Sequence, residues 1–193
     1  VHLAMVHYYF GEHAQAQKCL VEVRKYLSGL TDNVLKRQWY VFSVLNRIKL
    51  HEARHGRRGK RALLRTVQPF VKKVARWAAL GPLLKPYLAL IQAELERVFG
   101  QAQDARSLYL DGISIAHDQE YVFLEGYFNE CLGELLLRSG WHSAKMHFVE
   151  AAMLYRHCAA QRKGLALVAK HPECFEREPP DRSPPASATI PAS

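Results

Sequence analysis

Between Glu52 and Glu94 the chain has no Asp or Glu at all. That gap holds Arg54, Arg57, Arg58, Lys60, Arg61, Arg65, Lys72, Lys73, Arg76 and Lys85, ten of the chain's 27 Lys and Arg, which leaves 17 against 18 Asp and Glu. The formal charge of +9 therefore belongs to one segment. A protein that coats polyanions with its whole surface is excluded, and the question narrows to what this one segment meets. Other absences narrow the class further. No stretch of about 18 uninterrupted apolar residues exists, so no transmembrane helix is expected. The four cysteines (Cys19, Cys131, Cys158, Cys174) lie far apart with no CxxC pair, which speaks against a disulfide framework and for reduced thiols in a cytoplasmic protein. No segment alternates apolar and polar residues with β-branched enrichment, so strands are not expected. The start lacks a basic region and a cleavage pattern. Val1 to Phe10 reads instead as a packed helix, and the expectation is a fragment of a longer chain.

What is present is a phrase that recurs three times: a small-residue turn, then Ala, then an apolar residue at helical spacing. It reads FGEHAQAQKCLVEV (Gly11, Ala16, Leu20, Val23), FGQAQDARSLYLDG (Gly100, Ala105, Tyr109, Gly112) and SGWHSAKMHFVEAA (Gly140, Ala144, Phe148, Ala151). Each Gly follows an apolar helical run, and Gly at a helix C-terminus adopts φ > 0 without a Cβ clash. The Ala lets the second helix approach the first closely. Such a hairpin cannot bury its apolar faces alone, which is the logic of stacked repeats. The fold class expected is all-α, an α-solenoid of about four tetratricopeptide-like hairpins.

The periodicity predicts about eight helices: 2–10 with 12–28, 32–54 with 60–79, 83–99 with 102–117, and 119–138 with 142–160. Thr31 and Asp32 are candidate caps for the third helix, and Gly81-Pro82 ends the fourth. Pro69 predicts a kink or break near Gln68. The spacing is irregular: Gly100 to Gly140 exceeds the roughly 34 residues of a regular tetratricopeptide repeat. The domain reading is a helical-repeat body over 1–170 and a disordered Pro/Ser-rich tail over 171–193.

The stretch from Asp104 to Leu167 carries a more specific pattern: Asn129-Glu130, Gly140, Ala144, Ala151, Tyr155, Ala159-Ala160 and Lys163, with Cys158 where the pattern has Trp. It resembles the helical repeats that follow the nucleotide-binding module in large multidomain signalling ATPases, a set that includes soluble adenylyl cyclase and certain serine/threonine and histidine kinases. The resemblance covers about a third of the chain. It implies a regulatory, non-catalytic region. No phosphate-binding loop or cyclase centre of that family stands in this chain.

The competing chemical signal is HEARH, His51 to His55. Two His at i and i+4 share a helix face and can ligate zinc, while an intervening Glu activates water. Against it, Arg54 occupies a position such helices keep uncharged, and Gly56 directly follows His55, so no third ligand continues the motif. The next carboxylates, Glu94 and Glu96, belong to another predicted hairpin. His2 and His7, and His142 and His147, are spaced at i+5, off a common face. HGRRGK lacks the spacing of a phosphate loop. No catalytic residue, metal ligand or cofactor is assigned.

The basic segment is the better candidate. At 100° per residue, Leu63, Leu64, Val67, Phe70, Val71, Val74, Trp77 and Ala78 cover one helix face, and Arg61, Arg65, Lys72 and Arg76 the opposite one, with Lys73 at its edge. With Arg54, Arg57, Arg58 and Lys60 these form the candidate interaction surface. It is either a solvated outer face or a docking stripe for an acidic protein, an anionic membrane or nucleic acid. The function expected is a non-catalytic regulatory or protein-interaction module of a larger signal-transduction protein, partnered by an acidic protein surface or by other domains of the parent chain. The alternative is a nucleic-acid-binding or anionic-surface-binding helical domain using residues 54–85. A zinc hydrolase on His51, Glu52 and His55 stands third.

Overall fold

Gly11 shows how this chain reverses. Its φ is +77°. Its N–H donates to the Tyr8 carbonyl at 3.0 Å, and the Glu12 N–H donates to His7 at 2.8 Å. This pair of bonds closes a helix end through a left-handed residue. The same pair recurs twice. Glu120 (φ +58°) and Ala159 (φ +59°) take the place of the glycine, with N–H donors from Glu120 to His117, Tyr121 to Ala116, Ala159 to Arg156 and Ala160 to Tyr155.

The computed structural model describes residues 1–29, 34–137 and 141–175, with Trp141 by its backbone alone. Among them nine α-helices follow one another: α1 (His2–Tyr9), α2 (His13–Arg24), α3 (Val34–His55), α4 (Lys60–Leu80), α5 (Lys85–Phe99), α6 (Ala102–Asp118), α7 (Val122–Leu136), α8 (Trp141–His157) and α9 (Gln161–Lys170). No strand occurs among the described residues, and the protein is all-α. Each helix packs on its neighbours in sequence, and α1, α3, α5 and α7 also touch in succession. None of the helices described is long and apolar enough to cross a membrane.

Four expectations need correction. The predicted eighth helix ends at His157, and Ala159-Ala160 form a turn before a separate α9. The folded body runs past 170. Pro172–Cys174 make a 3-10 turn in which Cys174 is fully buried, and the preceding His171 stacks on Phe148 at 4.3 Å. Of the kink or break expected near Gln68, the break does not occur: α4 is continuous from Lys60 to Leu80 with Pro69 inside it. Pro69 removes one N–H, and the packed apolar face carries the helix through. Gly100 is extended (φ −107°, ψ −151°) rather than left-handed. There the absence of a Cβ makes room for the Glu96 carboxylate, which accepts from the Gln101 N–H at 3.0 Å. Thr31, Asp32, Gly140 and residues 176–193 lie outside the described residues.

The three phrases place their apolar members inside. Ala16, Ala105, Ala144, Leu20, Tyr109, Phe148 and Ala151 are all buried, whereas Val23 is half-buried. Two mid-helix glycines set the closest approaches. A Cβ on Gly112 would stand 2.2 Å from the Phe128 ring, and one on Gly133 would stand 2.6 Å from Phe148. Substituting Ala105 or Ala144 by Leu is expected to cost about 1–3 kcal/mol through overpacking at these helix contacts. Urea denaturation reads the shift, and an unchanged midpoint for both variants would show that the positions do not set helix spacing.

Candidate functional site

The amphipathic reading of α4 is met residue by residue. Leu63, Val67, Val74, Trp77 and Ala78 are buried, and Leu64, Phe70 and Val71 are half-buried against the core. Arg61, Arg65, Lys72 and Arg76 are exposed, as are Arg54, Arg57, Arg58, Lys60 and Lys85. Three of the candidate surface residues are tied down within the molecule. Lys73 is half-buried with its ammonium 4.7 Å from the Tyr40 ring and 5.2 Å from Trp77, and it donates to the Tyr40 hydroxyl at 3.2 Å. Arg57 donates to the Gly100 carbonyl at 2.6 Å, and Lys60 lies 5.8 Å from the Phe99 ring. Arg61, Arg65, Lys72 and Arg76 lie along one face of α4, Arg58 stands in the turn before it and Arg54 in the last turn of α3. No carboxylate on α4 itself offsets them.

The HEARH residues are brought together only in part. The His51 and His55 rings lie 5.0 Å apart. However, His51 Nε2 is 2.6 Å from the Arg58 carbonyl oxygen. Glu52 is forked onto Arg97, accepting from Nη1 at 2.7 Å and Nη2 at 2.5 Å. Among the described residues no three His, Cys, Asp or Glu side chains form a metal-binding group.

A second feature was not visible in the sequence. A cleft of about 630 Å³ is lined by α3, α5, α7, α9 and the α1–α2 turn, and its walls carry paired charges. At one end the fully buried Glu94 accepts from Lys49 at 2.8 and 3.0 Å, from Arg97 Nε and Nη2 at 3.1 and 2.9 Å, and from the Tyr109 hydroxyl at 3.0 Å. Burial would raise its pKa, but Lys49 and Arg97 override burial and hold it at about 2. The hydrogen bonds from Arg97 likewise hold Glu52 below the usual carboxylate range. At the other end Glu130 accepts from Lys163 at 2.7 Å and from the Tyr155 hydroxyl at 2.6 Å. Glu134, flanked by Lys170 and His171, is lowered by them against its burial. Between the two ends, burial pushes the Cys131 thiol well up, away from the reactive thiolate. Each of these carboxylates is paired with a basic side chain, and Glu94 takes up no proton near neutral pH.

Glu130, Tyr155 and Lys163, three residues of the pattern quoted for Asp104–Leu167, thus converge in one buried cluster. Asn129 faces the same helix pair, its Oδ1 2.9 Å from His147 Nδ1. The Glu94 cluster had a weaker signal. Glu94 and Tyr109 stand 15 residues apart on α5 and α6, while Glu130 and Tyr155 stand 25 apart on α7 and α8, so no fixed period links them. Lys49, 45 residues from Glu94, has no local partner pattern at all. No family model, curated protein or solved structure matches the chain.

Proposed function

We propose that this chain is a non-catalytic, tetratricopeptide-like α-solenoid that regulates a larger cytoplasmic signal-transduction protein by binding a protein partner with an acidic surface, or an acidic face of its parent chain. The observation that carries the reading is the exposed basic face of α4 and the turn before it, on a chain otherwise close to neutral. Free cysteines at Cys19, Cys131, Cys158 and Cys174 agree with a reducing compartment. Helices that pack neighbour on neighbour support the repeat reading. The carboxylates of the cleft are paired with basic side chains of neighbouring helices, whereas the basic face of α4 has no carboxylate on its own helix to offset it.

Nucleic acid is the weaker ligand because Phe70 and Trp77 pack inward and Tyr40 is covered by Lys73, so among the described residues no aromatic on this face is free to stack a base. Reversing Arg61, Arg65, Lys72 and Arg76 to Glu is expected to shift stability by no more than about 0.5 kcal/mol each. It should abolish binding to an acidic protein or a polyglutamate probe. Wild-type binding should weaken steeply with salt, since exposed charges are screened over roughly 10 Å at 0.1 M. Pull-down and polyglutamate titration of both proteins at low and high salt test this. Equal recovery by both proteins at both salt levels would make the stripe a solvated face. Tighter, salt-dependent binding of a generic DNA duplex would favour the nucleic-acid reading.

A further inference from the structure

From Ala78 to Leu84 the chain reads AALGPLL, a run without one polar side chain, with Arg76 before it and Lys85 after it. The run joins the end of α4 to the start of α5. Only Ala78 and Leu84 of it are buried. Ala79, Pro82 and Leu83 are exposed, and Leu80, at 81%, is the most open large apolar residue among those described. Pro82 has no N–H to leave unpaired away from water. The apolar tip extends to α3, which runs antiparallel to α4. Tyr40 meets Trp77 at 5.4 Å and Arg37 lies 5.7 Å over the same ring, so one turn further Val34, half exposed, stands at the same end as Leu80. Cations stand behind the tip. Lys72 and Arg76 precede Leu80 by whole helical turns and share its side of α4, and Lys85 opens α5; all three are exposed. The Tyr121 hydroxyl donates to the Leu83 carbonyl at 3.4 Å, which brings the turn with Asp118 and Glu120 alongside and bounds the basic area there.

We propose that this tip docks on an anionic lipid surface, with Leu80, Pro82 and Leu83 at the boundary of headgroups and acyl chains and Lys72, Arg76 and Lys85 among the headgroups. An acidic protein would satisfy the cations but gives the exposed apolar residues nothing to meet. An apolar protein face would do the reverse. A bilayer interface offers both, negative headgroups laid over hydrocarbon. The spacing fits: Arg76 and Leu80 stand about 6 Å apart along α4 at 1.5 Å per residue, and docked apolar groups sink about 5–10 Å. None of the described helices can cross a membrane, so the contact is peripheral. Docking of the tip shares Lys72 and Arg76 with the basic face but does not depend on the protein-binding reading of that face. Arg65 lies about 22 Å from Leu80 along α4, some two Debye lengths at 0.1 M, so the far end of the face acts independently.

The test is co-sedimentation of the full chain with phosphatidylcholine vesicles, plain or with about 30% phosphatidylserine. Binding is expected to the anionic vesicles only, and to fall about fivefold for each of Lys72→Gln, Arg76→Gln and Lys85→Gln. Leu80→Ser with Leu83→Ser should weaken it by about tenfold or more and leave polyglutamate titration unchanged. Both leucines are exposed, so the urea midpoint should stay near wild type. Leu80→Trp keeps the apolar character and should bind as wild type does. Equal binding to both kinds of vesicle would overturn the proposal. Undiminished binding of the double leucine variant would also overturn it, by reducing the contact to charge alone. Loss of polyglutamate binding with the leucines, in a protein that ignores vesicles, would assign the tip to a protein interface and overturn the proposal. Self-association that disappears with the leucines, again without vesicle binding, would do the same in favour of a second copy. Polyglutamate binding without vesicle binding removes lipid docking alone, and vesicle binding without polyglutamate binding removes the protein-docking reading alone.

Discussion

Glu94→Leu is expected to destabilise the protein by about 3–5 kcal/mol, because removing one member of a buried ionic cluster strands the others. Lys49 and the Tyr109 hydroxyl would lose their acceptor, and Arg97 would keep only Glu52. Glu94→Gln should cost less, since a carbonyl oxygen can still accept from Tyr109. Chemical denaturation at neutral pH gives the order. The pH dependence follows from the carboxyl being held at about 2 against an ordinary value of 4.5. A carboxylate whose pKa is lower folded than unfolded stabilises the fold fully above the unfolded value. That contribution fades as pH falls toward the folded value. The wild-type advantage over Glu94→Gln should therefore be constant above about pH 5 and shrink between about 4.5 and 2. A gap that stays constant through that window would show that Glu94 contributes by packing and not by charge.

The helical body was legible because burial on helices is periodic. The face of α4 could be read at 100° per residue down to Lys73 at its edge, and the small residues at Ala16, Ala105 and Ala144 marked the close contacts. Helix ends were less legible. Among the described residues a glycine announces the left-handed ends at Gly11 and at Gly56, which follows α3, but not the other two. At Glu120 and Ala159 the closing hydrogen bonds impose φ > 0 on residues that seldom adopt it, so composition carried no warning. The charged cleft was invisible for a different reason. Its pairs join α3 to α5 and α7 to α9, and ion pairs between helices leave no period in either helix. Only a pattern quoted from a family resemblance named Glu130, Tyr155 and Lys163 together; spacing alone did not. His171 and Cys174 were assigned to the tail on composition, yet the Phe148 ring and the Glu134 carboxylate both meet His171 and place that turn on the body.

That ring is the basis of the second large effect. Phe148→Ala is expected to cost about 3–5 kcal/mol, toward the upper end of that range. Phe148 is fully buried, with its edge filling the place where a Cβ on Gly133 would stand and its face stacked on His171 at 12° between planes. Truncation would leave a cavity facing a glycine, which has no side chain to move into it. His171, 2.8 Å from the Glu134 carboxylate, would lose its stacking partner, and the turn that buries Cys174 should open. Two measurements check this. The urea midpoint should fall, and mass mapping should show Cys174 reacting faster with a thiol reagent than in wild type. A double-mutant cycle separates packing from general damage. Gly133→Ala alone should destabilise, because its Cβ would overlap the ring, while in the Phe148→Ala background it should be neutral or stabilising by partly filling the cavity. Additive costs would show that the α7–α8 contact is not set by this ring against that glycine.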